Sequence, residues 1–158
     1  MSDWRQHIIT HHQLDYADTP ESLRLGEPAS EESIAAFEAS VGYVLPGEFH
    51  DLYQQFDGYG NETQEGVDWF FVPLEFLPEH VAGVRDWFES THSALARRFV
   101  PFVDWGNGDA SGYLFTESGE QEPGIFMFEH ESYEFNEAQD WSDFLYLVDD
   151  NLQDFLTT

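Results

Sequence analysis

The sequence predicts a single-domain α+β fold, a mainly antiparallel sheet with helices packed on it. Three observations predict it. Two adjoining stretches, residues 30–42 and 46–58, repeat apolar residues at helical spacing. Residues 99–128 then change to short β-rich runs divided by tight turns. Fifteen Phe and five Trp in 158 residues, within a 41% hydrophobic composition, supply enough apolar surface for one core of that size. No fixed-period repeat or low-complexity linker divides the chain. Residues 1–158 therefore read as one unit, with an N-terminal helix and loop over 1–29 and the core over 30–158.

The elements follow in order. Residues 4–12 read as a short helix with Trp4, Ile8 and His11 or His12 on one side. Residues 13–29 are polar, contain Pro20, Gly26 and Pro28, and read as a loop. Ser30 is placed to cap the next helix, and Glu31 and Glu32 bring negative charge to its positive end. Ile34, Phe37 and Val41 then form one apolar stripe, which Gly42 ends. Pro46 suits the first turn of a second helix, along which Phe49, Leu52, Tyr53 and Phe56 share a face. Gly58 and Gly60 are read as its stop.

Residues 67–72, short, aromatic and β-branched, read as a strand that Pro73 breaks. A third helix is expected from Pro78 to near Ala96, with Val81, Val84, Trp87 and Phe88 on one face. Residues 99–103, 111–116 and 125–128 read as three strands of an antiparallel meander. The turn Trp105–Asp109 joins the first two, with Asn107-Gly108 as its signal. A closing helix is expected from the spacing of Trp141, Phe144, Leu145, Val148, Leu152 and Phe155, capped by Asp140 or Ser142.

Charge excludes several functions. Five arginines and no lysine stand against 32 Asp and Glu, a formal charge of −27. Displacing counterions from nucleic-acid phosphate needs a broad basic face, so direct nucleic-acid binding is excluded. Binding to an anionic membrane surface fails for the same reason. No apolar run is long enough to span a bilayer, and Met1–His7 lacks a secretory leader, so the expected location is cytoplasmic. The absence of cysteine removes disulfides, thiolate chemistry and Cys-ligated metals. After Arg98 there is no cation, while fourteen carboxylates follow. That asymmetry fits a partner with a basic surface, reached by electrostatic steering, or a host with a salty interior.

Candidate chemistry is sparse. In the run His7, His11, His12, the first two fall one helical turn apart, a possible metal pair that needs a third ligand such as Asp15; the other reading is a polar terminal helix. Asp104, Asn107 and Asp109 surround a Gly-rich turn but do not match a calcium loop. Glu129, His130 and Glu131 follow the third meander strand without a nucleophile or a second histidine fixed by spacing. No P-loop, GxGxxG, HExxH or GxSxG motif occurs. No catalytic residue, metal or cofactor is therefore assigned. Trp69, Trp87 and Trp141 read as core. Trp105, beside a turn, and Tyr59, between Gly58 and Gly60, read as exposed aromatics of the kind that anchor interfaces.

Four stretches, in order, resemble the SUKH superfamily, which includes the yeast Knr-type cell-wall-assembly regulators and many bacterial immunity proteins. They are Pro28–Glu38, Gly42–Pro46 with Phe49, Leu52, Tyr53 and Gly58, Val100–Asp109 with Tyr113 and Leu114, and Trp141–Leu145. The resemblance implies one α+β domain and a non-enzymatic binding module. For its bacterial branch it implies an immunity protein that neutralises a cognate toxin domain, frequently a nuclease; the alternative is a regulatory or scaffold module of the cell-wall type. The expected partner is a protein with a basic surface. The expected contact patch is Tyr59, Trp105, Asn107, Asp109, Glu129 and Glu131, and the oligomeric state is left open.

Overall fold

A computed structural model describes residues 3–157. The expected domain limits at residues 1 and 158 lie outside that range. Among the described residues, seven strands form one sheet in chain order: β1 (Leu23–Leu25), β2 (Tyr59–Thr63), β3 (Gly66–Phe71), β4 (Phe99–Asp104), β5 (Ala110–Leu114), β6 (Ile125–Phe128) and β7 (Leu145–Asp149). Every neighbouring pair is antiparallel, so the sheet is one long meander. The helices are α1 (Trp4–Tyr16), α2 (Glu31–Val41), α3 (Gly47–Gln55), α4 (Leu77–Phe88), α5 (Ser93–Arg98) and α6 (Leu152–Thr157). The α+β class read from the sequence is the class observed.

Local signals explain the helical layer. Ser30 Oγ accepts the Ser33 N–H at 3.1 Å, and Gly42 ends α2 with φ +84°, a conformation that favours glycine. Ile34 and Phe37 of α2 and Phe49, Leu52 and Tyr53 of α3 are buried. They meet Phe102 and Tyr113 of the sheet in one large cluster, where the Phe49 ring lies 4.3 Å from Tyr53 and 5.4 Å edge-on from Phe102. Strand alternation sends Phe99, Ala110 and Leu114 to the other side, with Phe88, Phe128 and Phe144 in a second cluster. Glu48 fastens the chain's end to the first cluster. One oxygen accepts the buried Tyr113 hydroxyl at 2.7 Å and the other accepts the Leu152 N–H at 3.1 Å.

Several expectations are corrected. Residues 141–155 do not form one helix. A 3-10 turn (Trp141–Asp143), capped by Asp140, leads into β7, and the helix begins only at Leu152. The outer edge of β6 recruits Leu145–Asp149 into four register pairs, and that long-range pairing overrides the helical spacing. Leu147 and Val148 consequently face outward. Trp141 and Trp87, expected in the core, are both exposed. Gly58 and Gly60 do not stop a helix: α3 ends at Gln55, and Tyr59–Thr63 pairs with β3. The expected 13–29 loop holds the last turn of α1 and the short strand β1. The third helix is divided in two around residues 89–92.

One feature of the sheet positions the site. β3 meets β4 at a single register position, Phe71↔Val103, with the Val72 N–H donating to the Phe102 carbonyl at 3.0 Å. The rest of β3 therefore runs past the end of β4, and the turn between β4 and β5 stands opposite it. The two halves of the sheet part there, leaving a groove.

Candidate functional site

The β4–β5 turn is built by its own side chains. Asp104 Oδ1 accepts the Gly106 N–H at 2.8 Å, and Asn107 Oδ1 accepts the Asp109 N–H at 3.0 Å. Gly106 and Gly108 take φ of +80° and +102°. A Cβ on Gly108 would lie 2.9 Å from the His130 ring, so a larger residue there would have to displace that ring. The oxygens of Asp104 and Asn107 thus close the turn rather than converge on an ion. Among the described residues, no group of three or more His, Asp or Glu side chains is arranged to hold a metal.

On one side of the turn, Asp109 Oδ1 accepts from the His130 backbone N–H at 3.0 Å and lies 2.6 Å from His130 Nδ1. Glu129 accepts hydrogen bonds from the Ser132 and Tyr146 hydroxyls. Those two bonds hold the Glu129 carboxyl below its ordinary range, and the same carboxylate pushes the Tyr146 phenol up to about 12. Asp109 and Glu129 are thereby tied into the fold, while Glu131 is exposed. Beside them Phe135 stands 65% exposed at φ +57°, its ring 6.2 Å from Trp87. A non-glycine residue in that conformation, carrying an exposed aromatic ring, is the kind of strained feature that interaction loops retain.

On the other side of the turn, Trp105 is 40% exposed. Its indole N–H donates to Ser111 Oγ at 2.9 Å, and its ring packs edge-on against Phe70 at 4.9 Å and Phe155 at 5.8 Å. It lines a groove of about 640 Å³ between α1, β2–β3, the start of α4 and the turn. The groove also takes in Tyr16, Trp69, Phe70, Phe76 and His80.

Tyr59 departs from its expected role. It is 4% exposed, because α1 crosses over it and His11 Nδ1 lies 2.8 Å from its hydroxyl. That contact joins residues 48 apart, which no local pattern announces. His12 is likewise inside, 3.0 Å from Asn61 Oδ1, while His7 rests against Trp4. His11 and His12 fasten α1 to β2, and His7 stays against its own helix, so the three do not share a site. The expected patch is therefore divided: Trp105 faces the groove, Asp109 and Glu129 surround His130, Asn107 lies in the turn between, and Tyr59 is core. Phe76, His80 and Phe135 were not singled out from the sequence. Phe76 stands at the N-cap of α4, where its carbonyl accepts the His80 N–H at 3.1 Å, and no sequence motif marks the pair.

Two half-buried imidazoles line the groove and make it sensitive to pH. Burial lowers the His11 pKa from its ordinary 6.5, against the opposing charge of Asp15. Burial lowers that of His80 too, against Asp104 and the Val103 carbonyl. The folded state therefore binds these protons less readily than the unfolded chain. Their contribution to stability is present above 6.5 and is lost as pH falls through 6.5 and past the lower folded values. NMR titration of the imidazole protons should give midpoints below 6.5 for both; a midpoint at or above 6.5 would contradict the burial argument.

Among the described residues, no helix is long and apolar enough to cross a membrane. No curated protein matches the chain. The model of the SMI1 / KNR4 family (SUKH-1) matches residues 28–147, well over half of the sequence. That match runs from the approach to α2, through the Leu45-Pro46 corner, the β4–β5 turn and the His130 cluster, into β7, and the chain belongs to the SMI1 / KNR4 family (SUKH-1).

Proposed function

We propose that this chain is a non-enzymatic immunity protein of the cytoplasm, neutralising a toxin domain by covering a basic surface with its acidic one. The carrying observation is where the few cations go. Arg24 pairs with Glu62, but Arg85 donates to the carbonyls of Phe99 and Arg97, and Arg98 donates to that of Phe115. Two of five arginines are thus directed at the backbone rather than at carboxylates, and the net charge of −27 acts on an outside field whatever the pairing. A nuclease domain carries the basic cleft such a field would steer to. Trp105, Asn107 and Glu131 are the members of the expected patch that stand exposed for contact.

The test is co-expression in a sensitive bacterium with any toxin-like domain that proves to be encoded beside this gene. The expected outcome is growth rescue and a complex on a sizing column. Its association rate should fall at least tenfold between low salt and about 0.5 M NaCl, as steered encounters do. Absence of both rescue and complex would reject the reading and favour a regulatory or scaffold module, the role of the cell-wall-type members.

A further inference from the structure

The groove beside Trp105 has a composition that selects its occupant. Its volume of about 640 Å³ is in the range of ligand pockets. Phe76 and Trp105 offer rings that are 45% and 40% exposed. Asp15, Asp68, Glu79 and Asp104 stand around these rings, and none of the five arginines lines the groove. Aromatic faces carry negative quadrupoles, so rings and carboxylates together favour a cation. An anion would meet four carboxylates, and a purely apolar group would strip them of water.

His80 adds a polar side chain to the wall. The Val103 carbonyl favours a proton on the His80 ring, against the burial that disfavours one. Nε2 is buried and has no hydrogen-bond partner.

We propose that this groove seats an arginine side chain projecting from the protein partner, its guanidinium between the Phe76 and Trp105 rings and its N–H groups directed to the carboxylates. Arginine is favoured over lysine because a planar guanidinium stacks on rings and presents several donors at once. One wall, comprising His11, His12, Asp15 and Tyr16, belongs to α1, which lies before the family-matched residues 28–147. The groove is thus part family scaffold and part α1, an arrangement that lets the N-terminal helix set which partner fits. This assignment rests on the reading of a basic protein partner.

The test uses the full chain and an end-blocked Gly-Gly-Arg-Gly-Gly peptide, followed by NMR at low salt. The expected result is millimolar binding that shifts the Trp105 indole and His80 ring signals. The citrulline peptide, of the same shape without charge, should bind at least tenfold more weakly. The exposed-site variant Asp68→Asn/Glu79→Gln should weaken binding at least threefold, and Glu117→Gln/Glu120→Gln, in the distant β5–β6 turn, should leave it unchanged. Trp105→Ala should abolish the localised shifts; should it fail to fold, the Asp68/Glu79 pair carries the same test.

Equal binding of both peptides, or shifts scattered over the surface carboxylates, would overturn the groove. Spermidine binding more than tenfold tighter than the arginine peptide would overturn the assignment to a protein side chain. Toxin rescue without arginine binding would reject the groove and leave the immunity reading standing. Arginine binding without rescue would do the reverse.

Discussion

Gly112→Ala is expected to destabilise the protein by about 3 kcal/mol, lowering its melting temperature by about 6–12 °C, because the added carbon has no place to go. Gly112 sits mid-sheet in β5, paired with Pro101 on one side and Phe126 on the other. A Cβ there would lie 2.1 Å from the Val100 carbonyl oxygen and 2.5 Å from the Pro101 Cα. Both are backbone atoms, so no side-chain rotation relieves the clash. The cause is an irregularity in β4: the register shifts between Pro101 and Val103, which brings the β4 backbone down onto β5. Gly83→Ala is the matched control. Gly83 lies exposed in α4 with open space around the added carbon, and alanine there should stabilise by about 0.5–1 kcal/mol. Urea midpoints of the two variants should move in opposite directions. A neutral Gly112→Ala would mean that β4 can relax away from β5, contrary to the packing described.

These two glycines also show what the sequence could and could not disclose. Where a signal is local, it was legible. The Ser30 cap, the Gly42 stop, the Leu45-Pro46 corner and the Asn107-Gly108 turn each act through bonds within a few residues, and all form as expected. Where structure depends on distant pairing, it was not. Leu145–Asp149 satisfies a helical stripe equally well on paper, and becomes a strand because β6 presents an unpaired edge. Tyr59 looks like an exposed ring between two glycines, and is core because α1 folds over it. The site divides in the same way. Trp105 was legible as an exposed aromatic beside a turn. Its groove was not, since that exists only because β3 and β4 share one register position. Gly83 and Gly112 look alike in the sequence; only the neighbouring backbone separates them.

The second large effect concerns charge. Raising NaCl from about 10 mM to 1 M is expected to raise the melting temperature by about 6 °C, equivalent to about 2 kcal/mol at this chain length. At low salt the screening length is about 30 Å, comparable with the whole molecule, so the carboxylates repel one another across it. At 1 M the length is about 3 Å, and only near contacts survive. Two like charges 10 Å apart in water repel by about 0.4 kcal/mol. A net −27 multiplies such pairs many times over, while unfolding relieves only part of the repulsion, because the expanded chain carries the same charge. Arg24–Glu62 is too exposed to offset this, and its attraction is screened by the same salt. KCl should act like NaCl if screening is the cause. A flat or falling melting temperature would mean that the carboxylates are spaced so that self-repulsion costs little. The acidity would then carry no stability penalty for an interface to relieve, and its bearing on a partner would be confined to the association rate. A rise of the expected size instead means that a basic partner stabilises this fold on binding, by neutralising the charge that destabilises it alone.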